Sequence, residues 1–123
     1  MTASAPSPSE QCTLIVEALG DRKARDIVVF DVSSLTSITD FMIIASGTSD
    51  RHVKAIAEHV VSEFKRRGIG AQGVEGAGEG DWVLVDFADV IVHVMQPRVR
   101  EFYNLEKLWG IDDEREPQLR EGR

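Results

Sequence analysis

The chain has 123 residues and a mass of 13.6 kDa, with 42% hydrophobic and 28% charged side chains, and 14 Lys plus Arg against 21 Asp plus Glu give a formal charge of -7. That length suits one domain with its own apolar core and leaves no room for two. A single cysteine, Cys12, excludes an internal disulfide framework and a Cys-rich zinc site, and the acidic balance disfavours a protein whose main work is gripping phosphate backbone.

No run approaches the roughly 18 apolar residues of a membrane span. The start, Met-Thr-Ala-Ser-Ala-Pro-Ser-Pro-Ser, lacks the basic opening and apolar stretch of a secretory signal, so a soluble cytoplasmic protein is expected. Residues 1–9 are small and Pro/Ser-rich and read as a disordered tail. Cys12, Ile15, Val16 and Leu19 then recur at helical spacing, with Ser9 as the expected cap. Asp26 to Val32 is short, β-branched and apolar, hence a strand. Asp40 to Ser46 reads as a second strand whose continuous apolar run suits a sheet covered on both faces. Ser49 caps a helix from Asp50 to Arg67 with Val53, Ile56, Ala57, Val60 and Phe64 as its core stripe, and Gly68 stops it. Strands follow around Ala71–Val74, Trp82–Phe87 and Asp89–Gln96, the first two separated by the glycine-rich loop of Gly76, Gly78 and Gly80. Pro97 opens a last helix to about Trp109, and residues 111–123 are a charged disordered tail. The folded body is therefore 10–110. Its fold class is α+β, an α/β sandwich with a mixed sheet of about five strands packed with helices.

A tight connection at Phe87-Ala88 sets Trp82 opposite His93, Leu84 opposite Ile91 and Asp86 opposite Asp89 on one sheet face. Val83, Val85, Val90, Val92 and Val94 form the other face, which is the obvious core. The first face is then either covered by a second helix layer or free as a docking patch with Trp82 as anchor and an acidic edge. A basic partner would relieve the repulsion between the two aspartates, and so would Arg98 or Arg100 internally. The register is the weak step, since Phe-Ala is poor chemistry for a two-residue hairpin turn. In the last helix, Phe102, Leu105 and Trp109 are expected on the core side, with Val99 and Tyr103 at a margin facing a partner or a loop.

Catalytic signals are weak. His52 and His59 are seven residues apart on one helix and cannot easily share an ion. His93 has no second ligand in obvious reach beyond acids, and the loop Glu75-Gly-Ala-Gly-Glu-Gly-Asp81 lacks the Lys-Ser/Thr pair of a P-loop. Cys12 with His93 is a nucleophile and base in composition only, because Cys12 falls on an apolar stripe. Ser46-Gly47-Thr48-Ser49 before a helix also begins the nucleotidyltransferase fold, but the carboxylate pair which that chemistry needs for Mg²⁺ is missing. No metal or cofactor is expected.

Over residues 10–110 the sequence resembles the ribosomal silencing factor family, also called Iojap or RsfS. The matching pieces are Asp26-Ile27, Asp31-Val32 and Thr39-Asp40-Phe41 leading to Ile44, then Gly47-Thr48-Ser49-Asp50-Arg51-His52-Val53-Lys54-Ala55-Ile56-Ala57 and Glu75-Gly76. The strands Trp82–Asp86 and Asp89–Val94 follow, and Arg100-Glu101-Phe102-Tyr103-Asn104-Leu105-Glu106-Lys107-Leu108-Trp109 closes the match. Ala88 and Met95 depart from the glycine and the aromatic usual in the family. The resemblance implies a nucleotidyltransferase-like fold without the catalytic acids, and no enzymatic activity. It implies binding to the large ribosomal subunit through its fourteenth ribosomal protein, which blocks joining with the small subunit and lowers translation when nutrients run short. It also implies homodimers in some members, while the acidic balance and the lack of a long apolar run lead us to expect little direct nucleic-acid binding and no membrane. Combined with the sheet reading, the expected contact residues are Trp82, Leu84, Asp86, Asp89, Ile91 and His93, with Tyr103 and Glu106 from the last helix. The rival readings are an active nucleotidyltransferase-like enzyme, a factor for large-subunit assembly, and a dimerising scaffold with no ribosomal role.

Overall fold

The computed structural model describes residues 6–108. It is built from α1 (Pro8–Asp21), β1 (Arg25–Asp31), β2 (Phe41–Ser46), α2 (Asp50–Arg66), β3 (Gly73–Glu75), β4 (Trp82–Asp86), β5 (Val90–Met95), α3 (Pro97–Tyr103) and α4 (Leu105–Leu108). The strands form one mixed sheet in the order β1-β2-β5-β4-β3. Only the central β2–β5 pair is parallel.

α1 begins earlier than expected. Ser7, not Ser9, caps it: its hydroxyl accepts from the Glu10 N–H at 3.2 Å, while the Glu10 carboxylate accepts from the Ser7 N–H at 2.8 Å. This reciprocal capping box, with Pro8 in the first turn, draws Pro8 and Ser9 out of the expected tail and into the helix. α2 starts where the sequence says, with the Ser49 hydroxyl accepting from the His52 N–H at 3.1 Å. Gly47 is required before it, because a Cβ there would lie 2.8 Å from the Val53 side chain.

The two long helices pack on one face of the sheet. Ile15, Leu19, Val53, Ile56, Val60 and Phe64 meet Ile43, Ala45 and the five valines of β4 and β5 in one buried cluster. Phe64 and Phe87 stack with ring centroids 4.4 Å apart. A fully buried Val or Phe of this kind is worth roughly 1.5–3 kcal/mol relative to exposure.

The opposite face carries a smaller cluster of Phe30, Val32, Met42, Ile44, Met95 and Leu105, with Val28, Trp82 and Val99 against it. It is roofed at one end only, by α3 and α4. The single last helix expected from the sequence is broken at Asn104, whose backbone is left-handed at φ 47°, ψ 62°. The break means that α3 and α4 do not share one continuous helical stripe. Leu105 is buried as expected and Val99 turns inward, but Phe102 is 79% exposed and does not join the core. Trp109 lies outside the described residues.

The β4–β5 turn is longer than expected. The observed partners are Trp82↔Met95, Leu84↔His93 and Asp86↔Ile91, a two-residue shift from the predicted register. Ala88 makes the turn at φ 75°, a conformation that suits glycine and costs an alanine roughly 1 kcal/mol. An even shift leaves every side chain that stays within the paired strands on its expected face. It does separate Asp89 from Asp86.

Candidate functional site

The half-roofed face is where the sequence placed the contact residues. Trp82, Leu84 and Asp86 of β4 lie beside Ile91 of β5, all half-buried. Tyr103, 55% exposed, sets its ring 5.0 Å from that of Trp82, and Phe102 meets Tyr103 edge-on at the same distance. The result is an aromatic step of Trp82, Tyr103 and Phe102 leading down to an aliphatic floor of Leu84 and Ile91. The roof helices leave that floor to solvent.

Three of the expected contact residues have other occupations. His93 is 6% exposed, so it is a buried residue rather than a surface one. Its Nδ1 accepts from the Trp82 indole N–H at 2.9 Å, a diagonal reach across the strand pair. Desolvation by burial lowers its pKa to about 4, so the imidazole is neutral at physiological pH and carries its proton on Nε2. His93 thus fixes the indole from below. Asp89 stands outside the strand and turns toward the helix side, where its carboxylate accepts from the Gln11 side-chain amide at 3.4 Å. Glu106 is held at 3.1 Å by Arg100 in a pair with side-chain exposures of only 21% and 11%.

Sequence reasoning missed Arg100 in this role. Its guanidinium also donates to the Asp26 carbonyl at 2.7 Å and the Ser46 hydroxyl at 2.9 Å. It therefore ties the roof helices to the β1–β2 end of the sheet, rather than neutralising Asp86 and Asp89. Asp26 sits at a register irregularity in β1 with φ 51°, which frees its carbonyl for this bond. An arginine three residues into a helix, ahead of a glutamate, was the available signal. The bulge that receives it has no clear sequence mark.

Asp86 is a carboxylate of this face, and Glu75 of β3, paired with Leu84 and exposed, is a second. Asp86 accepts from the Ala88 N–H at 2.7 Å and is otherwise open to solvent. The Gly-rich loop closes beside this face. Gly76, at φ 86°, lies so near the Trp82 carbonyl that a Cβ would fall 2.0 Å from it.

The other chemical candidates are dispersed. Cys12 packs among the helices, and burial first, then the nearby Asp31 charge, pushes its thiol up to about 11. It lies on the opposite side of the sheet from His93. His52 and His59 are engaged separately, the first with Thr48 and the Arg22 carbonyl, the second with Asp21 at 3.0 Å. Among the described residues no group of three or more His, Cys, Asp or Glu side chains is placed to hold a metal ion. Nor is any described helix long and apolar enough to cross a membrane.

Comparison with known proteins gives a consistent set. The family model described as "Ribosomal silencing factor during starvation" matches residues 5–122. A Chromobacterium violaceum protein named "Ribosomal silencing factor RsfS" is 50% identical over 97 residues, covering 79% of this chain and 80% of its own. A Haemophilus influenzae protein of the same name is 48% identical over 96 residues, covering 78% of this chain and 94% of its own. The mouse protein "Mitochondrial assembly of ribosomal large subunit protein 1" is 39% identical over 101 residues, which span 80% of this chain but only 44% of that protein. Among solved structures, one from Chromobacterium violaceum superposes with a TM-score of 0.84 at 48% identity, covering 85% of this chain and 88% of that one.

Proposed function

Since the chain belongs to the ribosomal silencing factor family, we propose that it docks on the large ribosomal subunit, through that subunit's fourteenth protein, and keeps the small subunit from joining. The observation that carries this reading is the half-roofed sheet face. An aromatic step with Tyr103 and Phe102 exposed, an apolar floor and the carboxylates of Asp86 and Glu75 are what a basic protein surface with apolar anchors would complement. The contact set is Trp82, Leu84, Asp86, Ile91, Tyr103 and Phe102. His93 and Glu106 hold it in shape without touching the partner.

Occupancy is sufficient as a mechanism. A 13.6 kDa body on the face where subunits meet excludes the other subunit, and no bond has to be made or broken. The reading therefore assigns the chain no catalytic role. The separation of the Cys12 thiol from the His93 imidazole, and the high pKa of that thiol, support this. The place of action is the cytoplasm, where ribosomes are. A second copy of the chain could occupy the same face, so self-association and ribosome binding would compete.

Sedimentation tests the proposal. The protein should co-migrate with purified large subunits and reduce the joined particles formed when small subunits are added. Absence of co-migration rejects the ribosomal assignment. The mouse relative's name favours a second reading, in which the same docking serves subunit assembly. Gradient profiles of cells lacking the protein separate the two: more joined particles in starvation support silencing, and accumulation of immature large subunits supports assembly.

A further inference from the structure

A second cleft lies at the far edge of the sheet, where the α1–β1 loop meets the start of α2. Arg22, Lys23, Arg25, Thr48, His52 and Asp21 line it, around a volume of about 460 Å³. They put three cations within four residues; the other dense run, Lys65-Arg66-Arg67 at the end of α2, has Arg66 paired with Glu63. Arg22, Lys23 and Arg25 are all exposed, and none forms an ion pair among the described residues. The nearby Asp21 carboxylate is engaged by His59 instead.

The loop that carries these cations is rigidly mounted. His52 accepts the Thr48 N–H at Nδ1, 2.8 Å away, and its Nε2–H donates to the Arg22 carbonyl at 2.7 Å. One imidazole thereby rivets the loop to the head of α2. Lys23 at φ 62° and Asp26 at φ 51° turn the chain so that the loop stays short. A loop backbone held in place loses less freedom on meeting an anion than a mobile one does.

The backbone decides which anion fits. At the head of α2 the N–H groups of Thr48, Arg51 and His52 are already taken by His52, Asp50 and Ser49. A terminal phosphate or triphosphate needs such groups free to cradle it. What remains is a row of exposed side-chain cations, which suits the spaced charges of a phosphodiester chain. The sheet register also places the row. Arg25 pairs with Ser46, Ser46 with Met95, and Met95 with Trp82. Three strand spacings put Arg25 roughly 14 Å from Trp82, at the same end of the sheet.

We propose that Arg22, Lys23 and Arg25 form a second attachment point that binds the phosphodiester backbone of ribosomal RNA beside the protein docked on the Trp82 face. The proposal rests on the ribosomal reading above for the identity of the RNA, but not for the chemistry of the cleft. The net charge of -7 on the chain works against RNA binding over most of its surface, and the exposed Lys65-Arg66-Arg67 run serves as the comparison.

The test measures fluorescence anisotropy of a labelled short RNA hairpin against the full chain over a salt series. A variant combining Arg22→Gln, Lys23→Gln and Arg25→Gln is compared with one combining Lys65→Gln, Arg66→Gln and Arg67→Gln, which removes the same charge elsewhere. The expected result is binding whose log–log salt slope falls by about 2–3 in the first variant only, at roughly 0.7–0.9 per phosphate contact. No binding by the unaltered chain at low salt, or an equal fall in both variants, overturns the proposal. Displacement of the RNA by low millimolar pyrophosphate overturns it in favour of a small-anion site. Sedimentation with large subunits is a separate readout: loss of co-migration by the unaltered chain sinks the ribosomal reading while the hairpin result still decides the cleft.

Discussion

The two faces of the sheet are made by the same strands and obey different rules. On the helix side, β4 and β5 present valine at every position, and all five side chains are fully buried. On the other side the same strands present Trp82, Leu84, Asp86, Ile91, His93 and Met95, and only the end nearest α3 and α4 is closed. Uniform aliphatic residues mark a face whose only task is packing. A mixed set, propped by a buried imidazole and a partly buried arginine, marks a face that must keep its shape while part of it stays wet.

The contrast is testable residue by residue. Phe64→Ala empties the centre of the helix-side core and should cost about 3–5 kcal/mol in urea unfolding. Ribosome binding per folded molecule should not change. Equal loss of both would merge the two faces into one unit.

Next in size is the pH response of His93. Its folded pKa of about 4 lies below the ordinary 6.5, so the unfolded chain binds more protons between these values. The stabilising contribution is complete above pH 6.5, is lost as pH falls toward 4, and is on the order of 3 kcal/mol in all. His93→Gln should flatten the stability curve across that window. A curve of unchanged slope would mean that His93 is solvated.

Trp82→Ala should weaken large-subunit binding by about 2 kcal/mol, roughly thirtyfold, with the far-ultraviolet circular dichroism retained. Some stability will go with it, because His93 loses its donor. A variant that unfolds would assign Trp82 to the core instead. Ala88→Gly should raise stability by about 1 kcal/mol in thermal melts by relieving the left-handed turn, without altering binding. The smallest effect belongs to Asp86→Asn. It keeps an acceptor for the Ala88 N–H and removes the charge, so association should slow by less than about 1 kcal/mol, most visibly at low salt. An effect that does not depend on salt would remove the electrostatic role given to Asp86.

Much of the fold was legible because its signals are local. Every strand was placed within about two residues, since β-branched runs bounded by turn residues are read over short windows. α2 was legible at both ends from Ser49 and Gly68. The face assignment survived a wrong turn because the register error was even. The site was less legible. Asp89 was misplaced by the turn at Ala88, and Phe102 by the break at Asn104, two non-glycine residues in left-handed backbone that propensity does not foresee. His93 was misread because burial depends on a roof whose anchor, Arg100 on the Asp26 bulge, spans 74 residues of sequence.

The parallel pairing of β2 with β5 also matters for how the molecule is made. β1 and β2 can zip together as soon as both leave the ribosome that synthesises them, but the far edge of β2 must wait for residues 90–95. At about 5–20 residues per second that wait lasts several seconds. Throughout it, Phe-Met-Ile-Ile-Ala-Ser offers a bare, greasy strand edge to any neighbouring nascent chain. The newborn protein is therefore at its stickiest in mid-translation, and truncations that end before residue 95 should aggregate rather than fold.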